Sequence, residues 1–404
     1  MNWIGFVRLL RNIYGDGLPD LDYIQRQGLL AVKIGQTYAL RVDFLREETC
    51  KHLGRLYRHV DAISADDIDR LITASAPPGW RDHFTSIDTV PLASASVGQV
   101  HRGRLKTGEE VIVKVIKSDF RDTFIRDVLS LRRLVKFILL FYPKLAKVAD
   151  PLGIIDTIER GTLDELDLCK EIDGQKRLKA IYDENKNTFD LSRLAFPFIH
   201  DQLSNPGIMV SEFIEGSTFD ELLGTKQMTY DMLLDLFHIH GFYIFCVGTF
   251  HGDIHPGNIL LRDGKIYFLD TGAISTVGPK MRKGLFDFFE SLSAYDYEKC
   301  AADLNHMAER SIDGMAYGRY REQFLDLYKD YTDSTVSQVS LTKKMMETIK
   351  LGVNSGMVFE KGMYPIIKSL MYLDGMVLRC NPDAVLVRDM RRFIEEFKAG
   401  VHGI

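Results

Sequence analysis

The stretch from His251 to Gly272, HGDIHPGNILLRDGKIYFLDTG, constrains this chain more than any other. Asp253 precedes Asn258 by five positions and Asp270 by seventeen, and Thr271 and Gly272 follow directly. Between them the pattern predicts strand, turn and strand: ILL, then Arg262, Asp263 and Gly264, then KIYFL with alternating polarity. Asp, Asn, Gly and Pro are also ordinary turn residues, so the competing reading is a hairpin without chemistry. The order in which these residues fall favours a functional site.

The five-residue interval is that of the kinase catalytic loop H-R-D-x-x-x-x-N, and the later aspartate stands where D-x-G supplies a metal ligand. A triphosphate presents clustered negative charge that metal ions and fixed cations must hold. Asp270 and Asn258 offer hard oxygen ligands for Mg²⁺, and Asp253 is placed to face an acceptor hydroxyl or water as base or orienter.

A chain of 404 residues exceeds one ordinary core, so two lobes with an extension are expected. A net charge of -5 argues against a general nucleic-acid binder. Cys50, Cys169, Cys246, Cys300 and Cys380 are far apart with no C-x-x-C pair, which points to reduced thiols in a cytoplasmic setting and away from a zinc site. The N-terminus lacks an apolar run with a cleavage site, and no apolar run approaches the roughly 20 residues that span a bilayer. The expectation is a cytoplasmic protein without a transmembrane segment, with peripheral membrane attachment open.

Along the chain, helical spacing extends to about Ile87, broken by APPGW at Ala76 to Trp80. Strand candidates SVGQVHRGRL and EEVIVKVIK then form a hairpin around Lys106, Thr107 and Gly108. Helical regions are expected from about Arg121 to Lys147 and from about Ile155 to Ile181, before the strand-like GIMVSEFIEG. The remainder reads as helical around the opening hairpin, with breaks at Gly352, Gly356 and Pro382. The fold class is α+β, a protein-kinase-like two-lobed arrangement. A helical N-terminal extension over 1–86 precedes a sheet-plus-helix N-lobe over 87–213 and a mostly helical C-lobe over 214–404.

A Mg-nucleotide site needs a lysine on an upstream strand, and Lys114 in VIVKV fills the position of V-A-I-K. Against G-x-G-x-x-G-x-V, the segment from Ala93 to Val100 reads A-S-A-S-V-G-Q-V, with alanines for the first two glycines. Alanine lacks glycine's access to positive φ, so the loop must hold phosphates differently. Ala93, Ala95, Ser96, Val97, Gly98, Lys114 and Glu212 form the predicted nucleotide-binding set. In DELDLCKE, Asp167 and Glu171 share a helical face while Glu165 points away, so periodicity leaves either as the Lys114 partner. After Asp270 no A-P-E follows, so the platform that docks a peptide substrate is missing.

Together these residues resemble the UbiB (AarF-like) family of atypical kinase-like proteins. The motifs are KIGQ at Lys33 to Gln36, the alanine-rich loop into QVH, Lys114, the E-L-D of Glu165 to Asp167, Glu171, HGDIHPGN and DTG. The resemblance implies Glu171 as the Lys114 partner, Asn258 and Asp270 as metal ligands, and Asp253, Lys114 and Glu171 as the catalytic set. It also implies that Lys33 and Gln36 sit on an extension folded over the site, near Glu165 and Asp167. Ser94 interrupts the alanine run usual for the family, and the resemblance is not expected to extend to the apolar C-terminal helices that anchor some members.

The expected function is an atypical kinase or ATPase that uses ATP or ADP with Mg²⁺ and supports isoprenoid quinone (coenzyme Q-type) or other lipid metabolism. Expected partners are the nucleotide, a lipid or small-molecule acceptor, and biosynthetic enzymes. The competing readings are a phosphotransferase of the aminoglycoside or choline kinase type and a nucleotide-binding scaffold without turnover. Basic, apolar stretches at Phe124 to Lys147 and around Trp3, Phe6, Arg8 and Arg11 are candidate lipid contacts.

Overall fold

The computed structural model describes residues 3–15, 17–39, 45–57, 65–94, 97–116, 120–141, 151–360 and 362–402. The chain forms two compact units, one of residues 1–172 with 197–213 and the other of 173–196 with 214–404.

The first unit opens with α1 (Trp3–Tyr14), α2 (Leu21–Arg26), α3 (Leu29–Ala39), α4 (Glu47–Leu53) and α5 (Ala65–Ser75). Strands β1 (Phe84–Ile87), β2 (Ala93–Ser94), β3 (Gly98–Leu105) and β4 (Glu110–Ile116) follow, then α6 (Phe120–Phe141), α7 (Pro151–Glu165) and α8 (Leu168–Asn185). After the two-residue β5 (Leu194–Ala195), β6 (Ile208–Glu212) completes an antiparallel sheet in the order β1-β3-β4-β6, with β2 also on β3.

Strand alternation divides the sheet's residues between two cores. On β4, Val111, Val113 and Val115 join Ile68, Ile72, Trp80 and Phe84 on one face. Ile116 joins Val97, Met209 and a helical layer built from residues of α1 to α3 and α6 to α8 on the other. Lys114 is out of phase with the three valines, so its side chain belongs to this second face. Phe84 to Ile87, expected to be helical, is a strand: Phe84 packs on Trp80 while β1 pairs with β3. Tertiary pairing has overridden local periodicity.

The second unit begins within α8. It continues with β5, β7 (Ser217–Thr218), α9 (Phe219–Gly224), α10 (Tyr230–Gly241), a π-helical segment Phe242–Val247, and β8 (Thr249–His251). Then come β9 (Ile259–Arg262), β10 (Lys265–Phe268) and β11 (Ile274–Thr276). The remainder is helical: α11 (Pro279–Ser293), α12 (Tyr297–Met307), α13 (Gly314–Tyr328), α14 (Leu341–Asn354), α15 (Met363–Cys380), α16 (Leu386–Asp389) and α17 (Arg391–His402).

The predicted hairpin is β9–β10, with Ile259 opposite Phe268 and Arg262 opposite Lys265. Arg262, expected in the turn, ends β9 instead; the turn is the pair Asp263–Gly264, both at positive φ, the conformation a two-residue hairpin loop with strand-matching twist requires. Of the expected breaks, Gly352 stays inside α14, while the chain turns at Gly356 with φ 106°. Aromatic residues such as Phe242, Tyr243, Phe286, Phe288 and Phe324 fill the core of this unit. No helix among the described residues is long and apolar enough to cross a membrane.

Candidate active site

In the first unit, Lys114 lies opposite Val100 on β3 and Met209 on β6, so it is held from both sides on a central strand. Its Nζ donates to Glu171 Oε2 at 2.5 Å, and the two side chains are only 14% and 9% exposed. Water does not screen such a pair well, and removing either partner would take the ion-pair partner from a buried charge.

The structure corrects the helix that carries the acidic residues. The expected continuous run breaks after Glu165, where α7 ends, and resumes at Leu168. Asp167 therefore does not share a helical face with Glu171. Its Oδ1 accepts from the Cys169 amide at 3.0 Å, capping α8 in the manner of an Asp N-cap. Glu171 lies in the first turn of that helix, where a carboxylate is favoured by the helix dipole.

KIGQ lies on α3. Lys33, nearly buried, pairs with Glu165, the last residue of α7. Gln36 turns to the extension itself, its Nε2 donating to the Leu56 carbonyl at 3.0 Å. Of the loop residues, Ala93 is exposed on β2 and Val97 is buried in the helical core. Ala95 and Ser96 lie outside the described residues. Gly98 opposes Ile116, and a Cβ there would stand 2.7 Å from the Val115 carbonyl oxygen. Strand packing alone therefore requires this glycine. Glu212, at the end of β6, accepts from the Phe198 amide at 3.1 Å through Oε2.

In the second unit, β8 leads into the loop of Asp253, and a 3-10 turn at Pro256–Asn258 opens β9. The Leu269 amide donates to the Asn258 carbonyl at 2.8 Å, which brings Asn258 and Asp270 to the same end of the hairpin. Asn258 Nδ2 donates to the Asp253 carbonyl at 3.2 Å, leaving the amide oxygen as its hard ligand. Asp270 has φ 49°, a left-handed conformation that Asp and Asn adopt more readily than most residues. Thr271 behind it is buried.

One carboxylate and one amide oxygen suit Mg²⁺, which keeps several waters and shares its shell with phosphate oxygens. Among the described residues no group of three or more His, Cys, Asp or Glu could hold a metal without such help. When bound, Mg²⁺ would neutralise phosphate charge, with Asn258 and Asp270 as its protein ligands.

Two residues of this half carried no assigned role in the sequence. His251 is buried; its Nδ1 accepts from the Asp253 amide at 3.1 Å, which leaves Nε2 to donate to the Leu269 carbonyl at 3.1 Å. Burial lowers its pKa and keeps the neutral ring. Lys368 on α15 places Nζ 3.1 Å from Asp253 Oδ1 as an ion pair without hydrogen-bond alignment. The histidine begins the HGD motif and was open to recognition. The lysine, far away in sequence with no motif around it, was not.

A family model for the ABC1 atypical kinase-like domain matches residues 55–304. The chain is 29% identical over 283 residues to Protein ACTIVITY OF BC1 COMPLEX KINASE 8, chloroplastic, of Arabidopsis thaliana, covering 68% of this chain and 36% of that protein. It is 25% identical over 387 residues to Probable protein kinase UbiB of Vibrio vulnificus, covering 93% of this chain and 69% of that one. A solved structure of Rv3197 from Mycobacterium tuberculosis, in complex with erythromycin, matches at a TM-score of 0.52 and 20% identity, covering 88% of this chain and 91% of that one. That likeness bears on the fold, which is kinase-like and α+β as expected. The matched domain spans more than half of the chain and includes Lys114, Glu171, Asp253, Asn258 and Asp270, so the protein belongs to the ABC1 atypical kinase-like family, the group of UbiB and AarF-type relatives that its motifs resemble.

Proposed function

We propose that this protein binds ATP or ADP with Mg²⁺ and transfers a phosphoryl group to water or to the hydroxyl of a lipid-derived small molecule, in support of isoprenoid quinone or related lipid metabolism. Lys114, fixed by Glu171, takes the phosphates; Asn258 and Asp270 take the metal; Asp253 orients the nucleophile. The observation that carries this reading is the buried pair between Lys114 on a central strand and Glu171 on α8. A solvating lysine on an edge strand would have neither the burial nor the carboxylate. Membership of an atypical kinase-like family supports the same chemistry.

The acceptor side is read from the chain after Asp270. DTGAISTVGP passes through β11 into α11 with no A-P-E segment, which favours a small acceptor over a peptide. Lipid contact is supported by α6, where Phe124, Val128, Leu131 and Val135 face the core while Arg133, Lys136, Phe137, Leu140 and Phe141 are exposed. Aromatic and basic side chains on one exposed face suit an anionic bilayer surface.

The test is calorimetry with ATP and ADP, with and without Mg²⁺, beside single-turnover hydrolysis in the presence and absence of anionic, quinone-containing vesicles. Mg-dependent binding with turnover that vesicles stimulate is expected. Tight binding without hydrolysis under every condition would mark a scaffold, and robust phosphorylation of amino-alcohols or aminoglycosides would favour a small-molecule phosphotransferase.

A further inference from the structure

We infer that Lys368 is the positioning residue for Asp253, and that helix α15 thereby fixes the loop on which the phosphoryl acceptor is oriented. The inference rests on the function proposed above. It names a residue that neither the motifs nor the family match assigns.

Asp253 Oδ1 is buried and receives no aligned hydrogen bond among the described residues, so the Lys368 ammonium at 3.1 Å is the group that balances it. The lysine side chain is 16% exposed and the aspartate 27%. Exposed ion pairs contribute little because water screens them and both side chains lose freedom. Here the helix has already removed much of that freedom. Ile366, Leu370, Leu373 and Val377 of α15 are buried in the core of the second unit, and this apolar stripe sets the rotation of the helix.

The same helical face touches the loop twice. Tyr372 lies one turn beyond Lys368, its ring edge-on to His255 with centroids 5.3 Å apart, and Lys368 Nζ is 5.8 Å from the centre of the Tyr372 ring. His255 in turn accepts from the Gly257 amide at 3.0 Å through Nδ1 and caps the turn that presents Asn258. One turn of α15 therefore holds both the carboxylate of Asp253 and the ring of His255. In kinase-type transfer the protein contributes mainly position and charge, so a carboxylate free to rotate would cost rate rather than nucleotide affinity.

The experiment is a double-substitution cycle in steady-state hydrolysis with saturating Mg-ATP, using the whole 404-residue chain with Lys368→Met, Lys368→Arg, Asp253→Asn and the Asp253→Asn/Lys368→Met pair. Lys368→Met is expected to lower kcat on the order of 10- to 100-fold while Mg-ADP affinity by calorimetry stays within about 2-fold. Lys368→Arg should recover part of the rate, and the paired variant should be no slower than Asp253→Asn alone, because the lysine acts through that carboxylate. Thermal melting checks that each variant folds, and Lys368→Arg carries the comparison if the methionine variant does not. Losses that multiply in the paired variant, an unchanged rate in Lys368→Met, or a tenfold loss of Mg-ADP affinity would each overturn the inference while the proposed function stands. Absence of turnover in the unsubstituted protein would remove both.

Discussion

The imidazole of His251 fixes the backbone of Asp253: its Nδ1 accepts from the Asp253 amide at 3.1 Å, while Nε2 bonds the Leu269 carbonyl one residue before Asp270. A single neutral ring thus ties the two aspartates of the motif to one another. The bonding pattern needs one protonated and one bare nitrogen, so an imidazolium would lose the Asp253 amide as a donor.

This sets a pH dependence of stability. Burial lowers the pKa of His251 and His101, and that of fully buried His240 to about 3. The unfolded chain, with histidines near 6.5, then binds more protons than the folded chain below that pH, so stability is complete above about 6.5 and falls as the solution is acidified. Among the described residues His240 makes no hydrogen bond through either nitrogen, so His240→Leu should remove a share of the acid loss of about 2 kcal/mol at pH 5. Urea unfolding at pH 7.5 and pH 5 would measure it; an equally steep loss in the variant would refute the assignment.

Gly174 on α8 meets the backbone directly after Asp270. A Cβ added there would lie 2.0 Å from the Thr271 carbonyl oxygen. Alanine ordinarily stabilises a helix interior by about 1 kcal/mol over glycine, but here backbone must move, and Gly174→Ala is expected to destabilise by about 1–3 kcal/mol. A denaturant melt at neutral pH reads the sign directly.

Asp270→Asn should abolish Mg-dependent nucleotide turnover while the melting temperature stays near that of the unsubstituted protein. Asparagine tolerates the left-handed backbone at φ 49° and matches the aspartate in shape, so the change removes charge from the proposed metal site with little strain. Retained turnover would exclude Asp270 as a required ligand.

The Lys114–Glu171 pair should be strongly coupled. Lys114→Met takes the ion-pair partner from the buried Glu171 carboxylate, with an expected cost of about 3–5 kcal/mol, and Glu171→Leu removes that of the Lys114 ammonium at comparable cost. The doubly substituted protein is expected to be less destabilised than the sum, yet unable to bind nucleotide. Chemical denaturation paired with calorimetry separates the two effects, and additive losses would show that the pair is not a unit.

The strands around Lys114 and the Asp263–Gly264 hairpin were legible because they rest on local rules: β-branched runs, period-two alternation and a two-residue turn that demands positive φ. The break between Glu165 and Leu168 was not. Its residues all accept helical spacing, and what distinguishes it from the middle of a helix is the cap that Asp167 makes on α8 together with the Leu168 amide bonded to the Pro206 carbonyl. Phe84 to Ile87 was misread for the same reason, since the β3 edge and the Trp80 ring that make it a strand are contributed from elsewhere.

The sequence by itself determined the order and spacing of Lys114, Glu171, Asp253, Asn258 and Asp270, because kinase-type chemistry requires particular side chains at intervals a motif can carry. Tertiary structure decided that Lys114 meets Glu171 while Asp167 caps a helix, that His251 joins the two aspartates, and that Lys368 stands beside Asp253. Those pairings join residues to distant side chains, or turn on backbone hydrogen bonds, which residue spacing does not encode. They follow only when packing fixes the rotation of α8 and α15 and the phase of β4.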